Sequence, residues 1–374
     1  MITSSGKGTS LTTIEEFRRR AKELLTEEGW LFYNAAAGQR STFQESVTAF
    51  DRYVIRPRIL RDVTRRSLST TVLGQPISMP ICVAPSAAQR FAHPDAEAAS
   101  AKGTADADTL YIMSSFASSA IAEVSQVAPG GLKWMQLYLF RDRRFAENVV
   151  REAEKKGFKA IVLTVDLPLW PDFSSNKSST SRYHYDPNLR PTNLALDIPE
   201  VNEAIRSGDV NLRHFFAEQY KSPKTWDDIT WLKSITSLPI VLKGILTGEA
   251  AQEAADAGVS GIIVSAHGGR YMDGIPAPLD VLPEVVSAVK GRGVEVYMDG
   301  GIRSGTDVLK ALGLGARAVL IGRPALWGLA CDGPAGVNKV LSILRNELDM
   351  ALGISGCTNV QDIPPSLIAR KSYL

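Results

Sequence analysis

The stretch "VEVYMDGGIRSGTDVLKALGLGARAVLIGRP", residues 294–324, holds a strand, a helix and a second strand in succession. Its first run, "VEVYMDGG" (294–301), is largely apolar and ends in Asp299, Gly300 and Gly301. The segment "GTDVLKALGLG" (305–315) has apolar residues at helical spacing and stops at a glycine. "AVLIGRP" (318–324) is apolar again and ends in Gly322 and Arg323. The same rhythm extends towards the N-terminus through "MPICVAP" (79–85), "LYIMSS" (110–115), "LKWMQLY" (132–138), "AIVLTVD" (160–166), "PIVLKG" (239–244) and "GIIVSAHG" (261–268). Helical segments such as 143–157 and 248–258 lie between them. Eight such runs predict an α/β fold, a (β/α)8 TIM barrel, with an open doubly wound sheet as the alternative. Polar residues cluster at the run ends: Ser114, Gln136 and Tyr138, Thr164 and Asp166, Lys243, Ser265 and His267, Asp299, Arg323. A barrel brings those ends together on one face, whereas an open sheet spreads them along a line.

The flanks fit a single domain over 1–374. Residues 1–12 are a polar tail, 13–78 a helical and pre-barrel segment, and 79–350 the barrel. Thr13 and Glu16 have capping-box spacing, and Phe17, Leu24 and Leu25 form the expected apolar stripe of the first helix. The interval 167–235 after the fourth run is too long for an ordinary connection. Its Ser-, Asn- and Pro-rich part predicts a lid over the active face.

Composition narrows the function. Hydrophobic residues make up 44% and charged residues 22%, and the net charge is +2. This is the composition of a globular protein with a large core, and it gives no electrostatic case for nucleic acid or a membrane surface. Cys82, Cys331 and Cys357 are too scattered for a disulfide framework or a zinc site, which points to a reducing compartment and to no metal. The N-terminus lacks a signal-peptide pattern, and the final "KSYL" is a weak match to a peroxisomal address. The expected location is cytoplasmic or peroxisomal.

Three features carry chemistry. "DGGIRSGTD" (299–307) and "IGRP" (321–324) follow the seventh and eighth strands, where barrels commonly bind phosphate with backbone N–H groups and a cation. No G-x-G-x-x-G follows an early strand, which disfavours a nicotinamide dinucleotide. Lys243 ends a buried strand, where its charge needs an anionic partner or cofactor. In "VSAHGGRYMDG" (264–274), His267 is suited to proton transfer and Arg270 to gripping a carboxylate, with Gly268 and Gly269 permitting close backbone approach. Asp166, at the end of the fourth run, can orient such a histidine across the barrel mouth.

In these motifs, and in "RPRILRDVT", "ISMPICVAPSAAQRFAHP", "QLYLFRDR" and "SLPIVLKGILTGEAA", the chain resembles the FMN-dependent 2-hydroxy acid oxidase and dehydrogenase family, nearest its glycolate-oxidase group. The resemblance covers about residues 13–365. It implies FMN across the barrel mouth, contacted by Pro85, Ser86, Ala87, Ser114, Gln136 and Thr164. Lys243 and Ser265 would lie at the edge of the ring that gains negative charge. Asp299, Gly300, Gly301, Arg303, Gly322 and Arg323 would hold the ribityl chain and phosphate. His267 would be the base, backed by Asp166, with Arg270 and Tyr138 on the substrate. The implied reaction converts a 2-hydroxy acid to the 2-oxo acid with O2 as acceptor and H2O2 as product. A homotetramer is also implied.

The substrate half departs from the family pattern. Phe173 stands where the family has a second carboxylate-gripping arginine, with Lys177 and Arg182 as further cations in the same stretch. Phe116 replaces a tryptophan and Ala266 an asparagine. The family's N-terminal substrate tyrosine maps to Phe32 without a gap, or to Tyr33 with one. These changes point to a larger or more apolar hydroxy acid. The competing functions are a dehydrogenase with another electron acceptor, an FMN-dependent isopentenyl-diphosphate isomerase, and a non-catalytic flavin binder.

Overall fold

All eight apolar runs form strands because each is buried on both faces, and only a closed sheet wrapped in helices offers two apolar faces. The computed structural model describes residues 11–169, 192–194, 218–220 and 224–371. Its strands are β1 (Ile81–Val83), β2 (Tyr111–Met113), β3 (Lys133–Leu137), β4 (Ile161–Thr164), β5 (Ile240–Ile245), β6 (Gly261–Val264), β7 (Glu295–Asp299) and β8 (Ala318–Ile321). They form a closed barrel in which all neighbours are parallel, and β8 returns to β1 by pairing Val319 with Ile81 and Ile321 with Val83. The open-sheet alternative is excluded.

Strand periodicity builds the site. Cys82, Ile112, Trp134, Val162, Val241, Ile263, Tyr297 and Leu320, one from each strand, belong to one buried cluster, separate from the cluster that joins strands to helices. They fill the barrel. Side chains repeat on one face every second residue. Two steps further along the chain are Ala84, Ser114, Gln136, Thr164, Lys243, Ser265, Asp299 and Gly322. The polar residues at the run ends are therefore the top layer of the same interior, at the C-terminal mouth.

The N-terminal helices close one side of this mouth. Helix Ile14–Leu24 has the expected capping box, with the Thr13 hydroxyl accepting from the Glu16 N–H at 3.2 Å. Its buried face is Ile14, Phe17 and Ala21. Leu24, expected in the apolar stripe, is instead 45% exposed, because the helix ends there and the chain turns extended at Leu25. Helices Glu27–Asn34 and Ser41–Thr48 follow. Gly301 packs so closely on the second of them that a Cβ would lie 1.8 Å from the Ser46 carbonyl oxygen. Its φ of +80° also favours glycine. Within the 167–235 interval, Asp227–Ile235 forms a helix that buries Ile229 and Leu232 and leads into β5. Phe173, Lys177 and Arg182 lie outside the described residues.

Candidate active site

One cavity opens at the mouth. It is lined by Phe32, Tyr33, Pro85, Ser86, Ala87, Ser114, Phe116, Gln136, Tyr138 and Thr164. From the other side come Lys243, His267, Arg270, Tyr271, Asp299, Gly300, Gly301, Arg303, Gly322 and Arg323. Asp166 and Ser265 stand directly behind His267 and Lys243, through the contacts below.

The top layer holds two hydrogen-bonded groups, Ser114–Gln136–Thr164 and Ser265–Lys243–Asp299. The Gln136 amide donates to the Thr164 hydroxyl at 3.0 Å and accepts from the Ser115 N–H at 3.1 Å. Ser114 accepts from the Phe116 N–H at 3.1 Å. Lys243 donates to Ser265 at 2.8 Å and pairs with Asp299 at 3.1 Å, both nearly inaccessible. Burial pushes the Lys243 ammonium down, but the Asp299 and Asp166 carboxylates outweigh it and hold the group above its ordinary range. Lys243 is therefore a fixed cation at this wall. The second Asp299 oxygen, Oδ1, is buried without a hydrogen-bond partner among the described residues. An unsatisfied buried carboxylate oxygen at a cavity wall suits a hydroxyl-bearing ligand.

His267 stands on the next loop with φ +52°, in the left-handed region that a residue with a Cβ adopts only at a cost. Gly268 and Gly269 continue in the same region. Gly268 lines the cavity, and both glycines also admit protein: a Cβ would lie 2.7 Å from Arg323 Nη1 at Gly268, and 2.7 Å from the Phe43 backbone nitrogen at Gly269. This bend aims His267 Nδ1 at both Asp166 oxygens, at 3.0 and 3.1 Å. Burial raises the Asp166 pKa, but His267 and Lys243 more than reverse this, leaving the carboxyl below its ordinary value. An ionised carboxylate only accepts, so Nδ1 carries the proton and Nε2 presents a lone pair. Burial also lowers the His267 pKa, Asp166 opposes it, and Lys243 and Arg270 add to the fall. The imidazole is neutral at pH 7, as a base must be.

Arg270 donates to the Phe32 carbonyl at 2.8 Å, and its guanidinium lies 5.3 Å from the Phe32 ring centroid. The Tyr33 hydroxyl donates to the Ala88 carbonyl at 2.8 Å. Both residues to which the family tyrosine maps thus reach the cavity, Phe32 nearer Arg270. Phe116 meets Tyr138 edge-on at 5.5 Å between ring centroids. Ala266 is buried. Tyr271, not anticipated among the site residues, lies 4.2 Å from the His267 ring. Its signal was present in the sequence as an aromatic directly after Arg270.

The far end is strongly cationic. Burial lowers the Arg303 pKa to about 10. Arg323 falls well below its ordinary value, through burial first and then through Arg270, Arg303 and Arg40. The Arg323 side chain lines the cavity and also braces the fold. Its guanidinium donates to the carbonyls of Tyr33, Ala35 and Gly268, at 2.9–3.1 Å, tying the N-terminal segment to the His267 loop. It offers the cavity its charge and the start of helix Arg323–Ile354, which has no side-chain cap at Gly322. A helix N-terminus beside buried, mutually repelling cations suits a dianionic phosphate. The residues present therefore fit FMN at both its hydroxyl-bearing and phosphate ends. No cluster that could hold a metal ion occurs among the described residues.

Residues 21–370 match the family of FMN-dependent dehydrogenases. The chain is 44% identical to 2-hydroxyacid oxidase 1 of Mus musculus over 96% of its length and 97% of that protein. It is also 44% identical to glycolate oxidase 3 of Oryza sativa subsp. indica, over 94% and 95% of the two chains. A solved structure of mandelate oxidase with (S)-4-hydroxymandelic acid superposes with a TM-score of 0.84 at 36% identity, covering 95% of this chain and 98% of the other. With a matching barrel, a mouth that fits FMN and similarity over nearly the whole chain, the protein belongs to the FMN-dependent dehydrogenase family.

Proposed function

We propose that the protein oxidises a 2-hydroxy acid to the 2-oxo acid, passing two electrons to O2 and releasing H2O2. The observation that carries this reading is the His267–Asp166 pair, with Nδ1 held by an ionised carboxylate and the imidazole lining the same cavity as Arg270. Bound FMN supplies the acceptor for the substrate's electron pair and its passage to oxygen.

The residues divide the work. Arg270 grips the substrate carboxylate and thereby sets the reacting carbon near His267. The Tyr138 hydroxyl supplies a further hydrogen bond to the substrate. His267 Nε2 takes one substrate proton, and Asp166 stabilises the imidazolium that forms. Lys243, held by Asp299 and Ser265, is a fixed positive charge that would stabilise the negative charge gained by bound FMN. Ser114, Gln136, Thr164 and the 85–87 backbone position the ring. Asp299, Gly300, Gly301, Arg303, Gly322 and Arg323 hold the ribityl chain and phosphate, Arg323 through its charge and helix start. Phe116, Tyr33 and, by sequence, Phe173 shape the substrate side, with Phe32 as an added wall. A homotetramer and a peroxisomal or cytoplasmic location complete the proposal. Among the described residues no helix is long and apolar enough to cross a membrane.

The test is anaerobic mixing of the yellow holoprotein with a panel of 2-hydroxy acids, following loss of flavin absorbance, then admission of air and assay of peroxide. His267→Gln should keep FMN and lose about 10²–10⁴-fold in flavin reduction. Protein that binds no FMN, or bleaching unaffected by His267→Gln, overturns the reading.

A further inference from the structure

Two contacts of His267 differ in kind. The bond to Asp166 fixes one atom, Nδ1, but leaves the ring plane to a broad torsion. The Tyr271 ring meets the imidazole at 4.2 Å between centroids and 66° between planes, a close edge-on contact that restrains the plane. Tyr271 follows Arg270 directly, and both line the cavity. Its hydroxyl is hydrogen-bonded to that of Tyr138, which donates to it. Tyr138 is braced in turn by Phe116 at 5.5 Å and Tyr220 at 5.9 Å. A phenol oxygen that accepts still has its own O–H to donate.

We propose that Tyr271 is a positioning and specificity residue of the substrate site. Its ring sets the plane of the His267 imidazole, and its hydroxyl, accepting from Tyr138, donates to the substrate carboxylate beside Arg270. The inference rests on the oxidation of a 2-hydroxy acid proposed above and deepens it. Burial raises the Tyr271 pKa while Arg270 pulls it down, with a net rise, so the phenol stays a neutral donor at working pH. Donation along a chain of hydroxyls strengthens each bond in it. The position also bears on the motif's departure at Phe173. Where the sequence lacks a second arginine, a neutral phenol next to the first supplies a directional contact without a second buried charge.

The experiment separates ring from hydroxyl in the FMN-loaded protein, using Tyr271→Phe and Tyr271→Leu. Binding of oxalate, an unreactive dicarboxylate, is read from the shift it causes in flavin absorbance. Anaerobic flavin reduction by a reactive 2-hydroxy acid gives the limiting rate and the half-saturating concentration. Tyr271→Phe keeps the ring, so the limiting rate should stay within about twofold. Oxalate dissociation and half-saturation should both rise roughly 10–100-fold, the range for one hydrogen bond to a charged group. Tyr271→Leu should lose a further ~10-fold or more in limiting rate, with the flavin spectrum and FMN content unchanged. Equal oxalate binding by wild type and Tyr271→Phe, or equal limiting rates for Phe and Leu, overturns the inference. A wild type that binds oxalate, weakened by Tyr271→Phe, yet is bleached by no 2-hydroxy acid leaves the carboxylate role standing and sinks the oxidation. A wild type that does neither sinks both.

Discussion

Replacing Asp166 with Asn removes a charge while keeping nearly the same shape. The shape matters, because Gly244 packs so closely that a Cβ there would lie 2.5 Å from the Asp166 Cβ. In the wild type, Asp166 is the main group raising the His267 pKa against burial, Lys243 and Arg270. Its oxygens lie 3.0 and 3.1 Å from Nδ1. With charge centres about 4 Å apart and an effective dielectric near 20, the attraction is about 4 kcal/mol. At 1.36 kcal/mol per pKa unit, that sets an upper bound of about 3 units. The sign is downward, since losing the carboxylate disfavours the protonated imidazole. If the full imidazolium charge is present in the transition state, flavin reduction slows by about 10³-fold, and by some 30-fold if half is. The acid limb of kcat/KM, set by His267 in the free enzyme, should move from below the ordinary imidazole value to still lower pH. Wild type thus loses activity on acidification, whereas Asp166→Asn is slow but nearly flat. Anaerobic stopped-flow measurements from pH 5 to 8 follow both quantities, with FMN content as the control for folding. A limb that moves upward, or a rate within threefold of wild type, would refute the role given to Asp166.

Removing FMN leaves Asp299 Oδ1 unsatisfied and the buried arginines without an anion, so adding FMN back should raise Tm by several degrees. At 100-fold excess over Kd the linkage is about 2.7 kcal/mol, and an unchanged melting curve would exclude this site. Gly301→Ala would place a Cβ against the Ser46 carbonyl and should lower stability by more than about 2 kcal/mol, or displace helix Ser41–Thr48; denaturant melts that match wild type would contradict the close packing. The aromatic substrate side predicts higher kcat/KM for mandelate or a long-chain 2-hydroxy acid than for glycolate, and Phe173→Arg should shift the preference towards glycolate. Glycolate as the best wild-type substrate would end that assignment.

The barrel was legible because its signal repeats. All eight apolar runs became strands, and Ser114, Gln136, Thr164, Lys243, Ser265 and Asp299 at their ends became one layer, with Tyr138, Asp166, His267 and Arg323 beyond it. What escaped was set by contacts between distant parts of the chain. Arg323, read from "IGRP" as a phosphate-site residue, lines the cavity, and nothing in that motif showed that its guanidinium also meets carbonyls of Tyr33 and Ala35 nearly 300 positions earlier. Gly268 and Gly269 read as glycines for a ligand, and their close packing on Arg323 and Phe43 was not visible in the motif. Leu24 fitted the helical period but lay past the helix's packed face. Tyr271 carried no spacing signal, because its partners Tyr138 and His267 belong to separate strand ends.

Placing the site two residues above the core has a consequence for how the protein can change. Val162 and Thr164, Val241 and Lys243, and Tyr297 and Asp299 are neighbours on the same inward face. The lower member of each pair fills the barrel, and truncating it leaves a cavity that costs stability. The upper member borders the mouth, where its polar atoms meet a ligand. Its replacement alters binding or rate with a smaller structural penalty. His267 escapes this layering because it lies beyond the strand, on a loop bent into the left-handed region. Asp166, Arg323 and the helix Ser41–Thr48 hold that loop from three sides, which keeps a strained residue in one geometry. Substrate preference can therefore shift at Phe116 or Tyr271, which line the cavity, while the Lys243–Asp299 pair and the His267–Asp166 pair stay fixed. The departure at Phe116 borders that cavity, where a change of substrate disturbs neither the fold nor the proton transfer.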